Sequence, residues 1–281
     1  MDIFQSIIIA IVEGLTEFLP VSSTGHMIIT QEMLGVESTT FVKAFTFIIQ
    51  FGAILSVVCL YWKRFFRLKP VPEGKKGLEA FLTRYDFYWK LFLGFLPAAV
   101  FGLLLSDFID AMLESVAVVA VMLVLGGVLM LFVDKWFAKN EGRQTAMTER
   151  RSVIIGLYQC ISMIPGVSRS MATIVGGMQQ GLSRKDAAEF SFFLAVPTMF
   201  AASVYKMWTL LREPASMQQL SDNWVVLVVG MVVAFIVAML AIKGFVSYVT
   251  KYGFKAFGWY RIIVGGAIII MLLCGMSLEM A

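Results

Sequence analysis

The chain has 281 residues, of which 59% are hydrophobic and 15% are charged. Soluble domains are about 45–50% apolar and about 25% charged, so this composition excludes an ordinary soluble protein. The formal net charge of +4 does not indicate a nucleic-acid partner, because the basic residues lie in loops between apolar runs. Apolar runs near the length that crosses a bilayer, without strand-like alternation, predict an all-α polytopic membrane protein with one integral domain over residues 1–281.

The first segment, residues 3–34, is apolar but is interrupted by the polar stretch LPVSSTGH, which contains Pro20. Backbone that leaves the helix at membrane depth is tolerated only inside protein or beside a wet cavity. The pattern therefore predicts a re-entrant helical hairpin. Residues 152–182 predict a second hairpin, because the stretch IPGVSRS around Pro165 interrupts them in the same way.

Six other runs are long enough to cross the membrane as single helices. They cover approximately residues 41–62, 88–106, 115–133, 187–205, 224–243 and 257–276. Cys59, Cys160 and Cys274 lie far apart within apolar stretches. We therefore expect them to be buried small apolar side chains rather than a disulfide or a metal site.

Loop charges orient the spans. Residues 63–90, 134–151 and 243–261 are rich in Lys and Arg, and Arg261 is counted here among these loop cations. The positive-inside rule predicts that these three segments are cytoplasmic. The same rule predicts an outside location for residues 105–115, which have acidic but no basic side chains, and for the C-terminal tail with Glu279. Six spans satisfy all of these assignments if each hairpin returns to the side from which it entered. The first hairpin then enters the membrane from outside and the second from the cytoplasm.

Two pairs of similar stretches predict an internal repeat. FLPVSST at 18–24 resembles MIPGVSRS at 163–170, and KAFTFIIQFGAIL at 43–55 resembles AEFSFFLAVPTMF at 188–200, with one common offset of 145 residues. Because the hairpins enter from opposite sides, the repeat is predicted to have inverted topology. Its halves span approximately 1–133 and 152–281, joined by the basic cytoplasmic linker 134–151. Inverted repeats with broken helices are typical of transporters, which keeps a transport function open.

Glu13 and Glu17 are four residues apart, so they share one face of a helix. A charge inside a membrane costs about 3 kcal/mol on insertion scales, and two carboxylates on one face repel each other unless a cation or a proton lies between them. Carboxylate oxygens suit hard divalent cations such as Mg²⁺ or Ca²⁺. The pair therefore predicts a metal site. A pair that reaches the membrane interface is the alternative.

Ser22, Ser23 and Thr24 follow the proline of the first interruption, and His26 is the only histidine of the chain. The hydroxyl residues fit an N-cap cluster, and a helix N-terminus also offers free N–H groups to a phosphate. His26 can share a helix face with Ser23, three residues before it. We interpret His26 as a base for an activated serine, and a structural histidine is the alternative.

The second interruption carries Arg169 between Ser168 and Ser170. An arginine at membrane depth needs an anionic partner, and its planar guanidinium matches phosphate oxygens. If the two hairpins meet tip to tip, Arg169 faces the cluster of acids, hydroxyls and imidazole and can bind a phosphate there. A structural ion pair of Arg169 with Glu13 or Glu17 is the alternative to phosphate binding. A hydroxyl, a base, paired carboxylates and a guanidinium together favour phosphoryl transfer.

The stretches EGLTEFLPVSSTGH and PGVSRSMATI closely resemble the two signature regions of the bacterial undecaprenyl-diphosphate phosphatases, also called the bacitracin-resistance family. The resemblance covers essentially the whole chain. It implies a multi-pass enzyme of the bacterial cytoplasmic (inner) membrane, with its site open to the periplasmic face. Such enzymes hydrolyse undecaprenyl diphosphate, recycle the lipid carrier for peptidoglycan synthesis and confer bacitracin resistance.

The resemblance also implies roles for individual residues. The catalytic residues are Ser23, His26 and Glu17, and the metal ligands for a divalent cation are Glu13 and Glu17. The family's arginine corresponds to Arg169, which would bind substrate phosphate. We expect the neighbouring hydroxyls of Ser22, Thr24, Ser168 and Ser170 to bind phosphate as well. In the implied mechanism Ser23 attacks the terminal phosphorus and His26 is base and later acid. In a competing version a metal-bound water attacks and Ser23 only binds phosphate.

Other functions remain as alternatives at this point. A flippase for the same lipid phosphate would need most of the same polar groups, and an intramembrane serine protease would use Ser23 and His26 alone. The expected partners are a polyprenyl diphosphate and membrane lipids, with no nucleic acid. One sequence does not define the oligomeric state, and a homodimer stays open.

Overall fold

The computed structural model describes residues 1–105, 115–212 and 220–275, together with the single residues 109, 112 and 218. Within these residues all regular structure is helical. The sequence predicted an external location for two acidic segments. Their acidic residues, Asp107, Asp110, Glu114 and Glu279, are not among the residues that the structure describes.

Twelve α-helices make up the described fold. In chain order they are α1 (Ile3–Thr16), α2 (Ser23–Met33), α3 (Thr40–Leu60), α4 (Trp62–Phe66), α5 (Gly77–Arg84), α6 (Asp86–Leu104), α7 (Val116–Trp136), α8 (Glu149–Ile161), α9 (Arg169–Gln179), α10 (Arg184–Leu211), α11 (Trp224–Tyr252) and α12 (Lys255–Leu273). Six of them, α3, α6, α7, α10, α11 and α12, are long and apolar enough to cross a membrane. They overlap the six predicted spans, so that prediction is confirmed.

The two remaining apolar segments are each divided into a pair of helices, as predicted. Residues 17–22, the first break, separate α1 from α2, and residues 162–168, the second break, separate α8 from α9. The helices of each pair pack against each other. Pro20 and Pro165 lie within these breaks, and a proline removes one backbone hydrogen bond from a helix because it lacks an N–H.

The long helices enclose both breaks. α1 packs on α11, α8 packs on α6, and α3 packs on both α10 and α11. The ring of Phe18, in the first break, meets the ring of Phe192 in α10 edge to face at 5.6 Å. On the other side Gly166 of the second break lies so close to Val119 of α7 that a Cβ there would overlap the Val119 carbonyl oxygen. The breaks therefore lie between α10 and the α7–α12 pair.

The three cysteines correct one prediction. All three are free, but Cys59 and Cys274 are exposed and Cys160 is only partly buried. The expectation that they are buried was therefore wrong for Cys59 and Cys274. An apolar helix that crosses a membrane has one side that faces lipid, so an apolar neighbourhood in the sequence does not imply burial within the protein.

Close contact between α8 and α6 gives a test of this packing. Gly156 of α8 lies on Gly94 of α6, and a Cβ at position 156 would overlap the Gly94 carbonyl oxygen. We expect Gly156→Ala to lower the thermal unfolding midpoint of the purified protein, because such overpacking costs about 1–3 kcal/mol. Gly266→Ala is the control, because a Cβ at position 266 meets nothing within 4 Å. A Gly156→Ala midpoint equal to that of the wild type would contradict this helix contact.

Candidate active site

The first break brings Glu17 and Ser23 into direct contact. Glu17 ends α1 and Ser23 begins α2, and the turn between them folds the two side chains together. The Ser23 hydroxyl donates a hydrogen bond of 2.7 Å to Oε2 of Glu17. A carboxylate that accepts this bond is positioned to take the hydroxyl proton.

The second break contributes Arg169 to the same carboxylate. Nη2 of Arg169 lies 3.0 Å from Oε1 of Glu17, and the two side chains are only 12% and 8% exposed. Nη1 of Arg169 donates to the Ser191 carbonyl oxygen at 3.2 Å. Its Nε is buried and has no hydrogen-bond partner among the described residues. The two breaks thus meet, and their contact includes the Arg169–Glu17 ion pair that the sequence analysis gave as the structural alternative.

Ser168 and Ser170 connect the two breaks. The Ser170 hydroxyl donates to the Leu19 carbonyl oxygen at 2.8 Å, and the Ser168 and Ser170 hydroxyls are 3.0 Å apart. The Ser168 hydroxyl also accepts from the Met171 N–H at 3.4 Å, as an N-cap does. Ser168 is thus an N-cap with a side-chain bond, whereas Ser22, in the cluster for which the sequence predicted capping, makes no such bond. The predicted binding of phosphate by Ser168 and Ser170 stays a prediction.

An unusual backbone conformation occurs at the same position in both breaks. Ser22 and Ser168 each precede the second helix of their pair, with φ of 70° and 76°. Residues with a Cβ rarely adopt this region, which costs about 1–3 kcal/mol and is found at functional sites. No side chain caps α2 after Ser22, so the N–H groups of its first turn are free for an anion. Ser23 and Thr24 lie in this turn and are partly exposed.

His26 is buried in α2, and its ring contacts other groups than Ser23. Nδ1 lies 2.8 Å from the Ser22 carbonyl oxygen, which only accepts, so Nδ1 carries the proton. Nε2 lies 2.7 Å from the Tyr260 hydroxyl, and the two rings are nearly parallel with centroids 5.4 Å apart. In the neutral imidazole Nε2 therefore accepts from Tyr260. Both ring nitrogens are engaged, and the hydroxyl of Ser23 is bonded to Glu17 instead.

Arg261 is the residue that the sequence reasoning missed. It belongs to α12, is fully buried, and forms no ion pair within the described part of the chain. Its guanidinium donates to the carbonyl oxygens of Pro20 in the first break at 3.1 Å and of Gly166 in the second break at 2.8 Å. Two further bonds reach the α7 carbonyl oxygens of Met122 and Leu123 at 3.1 and 3.3 Å. One cation therefore holds both breaks against α7.

The sequence contained a signal for this role. Arg261 was counted as a loop cation, although it lies inside the predicted span 257–276. A cation within a membrane span usually has a buried partner and a function. The partner could not be found from the sequence, because backbone carbonyls leave no pattern. Gly126 of α7 leaves the space for the guanidinium, since a Cβ there would overlap Nη2 of Arg261.

Comparison with known proteins decides the family. The family model described as Bacitracin resistance protein BacA matches residues 6–267. The chain belongs to the BacA family. It is 57% identical to a protein of Porphyromonas gingivalis over 99% of both chains. It is 53% identical to one of Flavobacterium johnsoniae, over 97% of this chain and 96% of the relative, and 50% identical to one of Bdellovibrio bacteriovorus over the full length of both. All three relatives are named undecaprenyl-diphosphatase.

Glu13 is the side chain of this BacA-family protein that best fits the expected divalent cation. It is fully buried, and no donor among the described residues reaches either carboxylate oxygen. Glu17, Gln50 and Arg169 are among the polar side chains around it. The described residues contain no cluster of three or more His, Cys, Asp and Glu side chains. The donor set therefore fits a cation such as Mg²⁺, which commonly combines one or two carboxylates with waters and substrate phosphate.

A charge-deleting substitution tests the role of Arg261. Arg261→Met leaves the buried carbonyl oxygens of Pro20 and Gly166 without their donor, and each buried unsatisfied group costs about 1–3 kcal/mol. We expect a clearly lower unfolding midpoint for purified Arg261→Met. Lys255→Met, which deletes an exposed charge from the same helix, is the control and should unfold close to the wild type. Equal midpoints for the two variants would show that Arg261 does not hold the breaks.

Proposed function

We propose that this chain is an undecaprenyl-diphosphatase, which hydrolyses undecaprenyl diphosphate to undecaprenyl phosphate and inorganic phosphate. The observation that carries the proposal is the Glu17 carboxylate, which bridges the Ser23 hydroxyl and the Arg169 guanidinium. A nucleophile, a proton acceptor and a cation at one point suit phosphoryl transfer, where catalysis is mostly positioning and charge neutralisation. The shared name of relatives that are 50–57% identical supports the substrate.

In the proposed mechanism the Ser23 oxygen attacks the terminal phosphorus while its proton passes to Oε2 of Glu17. The bond from that phosphorus to the bridging oxygen breaks, and undecaprenyl phosphate leaves with the bond electrons. Water then hydrolyses the phosphoserine and releases inorganic phosphate. The unpaired Nε of Arg169 and the first-turn N–H groups of α2 would bind the phosphate oxygens. A divalent cation held by Glu13 and Glu17 would neutralise further charge on these oxygens.

The contacts favour Glu17 over His26 as the acceptor of the Ser23 proton. His26 fixes the carbonyl of Ser22, and this bond supports the left-handed backbone that begins α2. We propose that His26 positions the N-terminus of α2, with Tyr260 holding its second nitrogen. The assignment of His26 as the base stays a competing prediction. So does direct attack by water, with Ser23 only binding phosphate.

We propose that the enzyme lies in the bacterial cytoplasmic membrane, with two re-entrant hairpins in an inverted repeat. Reciprocal packing supports the repeat, since α1 of the first half packs on α11 of the second, and α8 of the second packs on α6 of the first. The matching φ angles of Ser22 and Ser168 support it further. The pocket is proposed to open to the periplasmic face, where hydrolysis would recycle the lipid carrier for peptidoglycan and confer bacitracin resistance.

A flippase for the same lipid is the second candidate, because inverted repeats with broken helices are common in transporters. The comparisons do not favour it, since the full-length relatives are named for a hydrolase. The two functions differ in a measurable way, because a transporter in detergent releases no phosphate.

The decisive experiment measures phosphate release from a polyprenyl diphosphate by purified protein in detergent, with Mg²⁺ and with EDTA. We expect release by the wild type and loss of it with EDTA. Ser23→Ala and Glu17→Gln should each lower kcat at least about 100-fold, the lower range for general-base and nucleophile losses. Glu32→Gln, an exposed carboxylate of α2, is the matched control and should keep wild-type activity. No release by the wild type would favour the flippase, and a Ser23→Ala variant with most of its turnover would exclude the serine nucleophile.

The role of His26 can be separated from that of Glu17 by their substitutions. If His26 positions α2, His26→Ala should lower kcat about tenfold, well below the 100-fold or greater loss expected for a missing general base. Tyr260→Phe removes the hydroxyl that faces Nε2 and should cost only a few-fold, while Tyr252→Phe at an exposed site should cost nothing. A loss for His26→Ala as large as that for Ser23→Ala would instead identify the imidazole as the base.

A further inference from the structure

A polar cavity lies apart from the breaks. It has a volume of about 660 Å³, within the range of pockets that bind small ligands. Six basic side chains line it: Lys63, Arg64, Arg67, Lys69, Arg84 and Lys90. Only three acidic side chains, Asp86, Asp186 and Glu189, face them. We call this the basic cavity.

The positive charge of the basic cavity is only partly neutralised. Asp86 pairs with both Lys69 at 2.7 Å and Lys90 at 2.6 Å. Within the described residues Lys63, Arg64, Arg67 and Arg84 form no ion pair with any carboxylate. Several unpaired cations around one cavity favour an anionic ligand, because a low-dielectric wall strengthens their combined field.

The wall behind these cations is apolar. Phe87, Phe190 and Phe193 line the basic cavity, and the rings of Phe87 and Phe193 meet edge to face at 5.3 Å. Phe190 and Phe193 are buried, so this wall belongs to the protein core. A ligand that fits both surfaces carries an anionic group next to a hydrocarbon part.

The rim of the basic cavity has the character of a membrane interface. α5 contributes Arg84 to the lining and buries none of its residues in the protein. Its Leu78 and Phe81 are exposed and lie three residues apart, on one face of the helix. Trp62 and Tyr88 are also exposed nearby in the sequence. A short amphipathic helix beside exposed aromatic residues is typical of a segment that lies in the headgroup layer.

We infer that the basic cavity binds the headgroup phosphate of an anionic phospholipid from the cytoplasmic leaflet. Most of the lining comes from residues 63–90 and 145–147, which belong to two of the segments predicted to be cytoplasmic, and the rest comes from residues 182–193. Basic pockets on that side of a membrane bind anionic headgroups, because Lys and Arg near the surface are attracted to the negative charge of that leaflet. The exposed apolar rim favours a lipid over a soluble phosphate, because the acyl chains can lie against it.

The bound lipid would brace the helix that supports the active site. Phe190 and Phe193 of α10 face the basic cavity, whereas Ser191 between them accepts a hydrogen bond from Arg169. Phe192 of the same turn packs on Phe18 in the first break. A single turn of α10 therefore separates the lipid site from the breaks. The inference does not rest on the proposed hydrolase activity, because its test measures binding.

Native mass spectrometry of the full-length protein in detergent tests the inference, with phosphatidylglycerol and phosphatidylcholine of matched acyl chains as probes. We expect the wild type to bind phosphatidylglycerol at least tenfold more tightly. The double variant Arg67→Glu/Arg84→Glu should lose at least tenfold of this affinity, because it reverses two unpaired charges of the lining. Both side chains are exposed, so the variant should elute and unfold as the wild type does.

The control is Lys135→Glu/Lys139→Glu, which makes the same change of charge at exposed sites outside the cavity. It should keep the affinity within twofold. Equal losses in the two double variants would overturn the inference, since they would indicate general surface attraction. Equal binding of the two lipids by the wild type would also overturn it, and this comparison needs no variant. Displacement of phosphatidylglycerol by millimolar inorganic phosphate would mean that the cavity takes free phosphate instead.

Discussion

Two helical segments are interrupted inside this protein, and the buried guanidinium of Arg261 bonds one backbone carbonyl in each interruption. A carbonyl that leaves a helix at membrane depth has no water to bond, and each unsatisfied group costs several kcal/mol. Arg261 bonds the carbonyl oxygens of Pro20 and Gly166 at once, so it closes both breaks and joins them. Gly126 and Gly166 show how tightly α7 is packed around this arrangement, because neither position has space for a Cβ.

The chemistry of the site depends on that closure. Once the breaks meet, Glu17 and Arg169 neutralise each other in a largely buried pair, although they are 152 residues apart in the chain. Glu17 then has its second oxygen free for the Ser23 hydroxyl. Either charge, buried without the other, would have a large desolvation cost, since a lone buried ion is far less stable than a paired one. The catalytic arrangement and the stability of the two breaks are thus consequences of the same contacts.

Much of this could be predicted from the sequence, because the signals were local. The apolar runs located all six spans, although the span predicted over 224–243 continues to Tyr252. Polar stretches with Pro20 and Pro165 located both breaks. The contact of Arg169 with the cluster of Glu17 and Ser23 was predicted on the condition that the two breaks meet, whereas the hydrogen bond between Ser23 and Glu17 was not predicted. The partners of His26 and Arg261 could not be predicted, because a tyrosine hydroxyl and backbone carbonyls from distant helices make no sequence pattern. The prediction that Cys59 is buried was wrong for a related reason, since an apolar stretch of sequence can face either lipid or the protein core.

The two breaks have similar backbone conformations but different side chains, and the candidate active site depends on that difference. Each has a proline and a left-handed serine before its second helix. The first supplies carboxylate, hydroxyl and imidazole, whereas the second supplies a guanidinium and hydroxyls that tie it to the first. A repeat with identical breaks would bring like charges together and repel itself. Division of acid and base between the halves therefore lets one structural motif, used twice, place Glu17 between the hydroxyl of Ser23 and the guanidinium of Arg169.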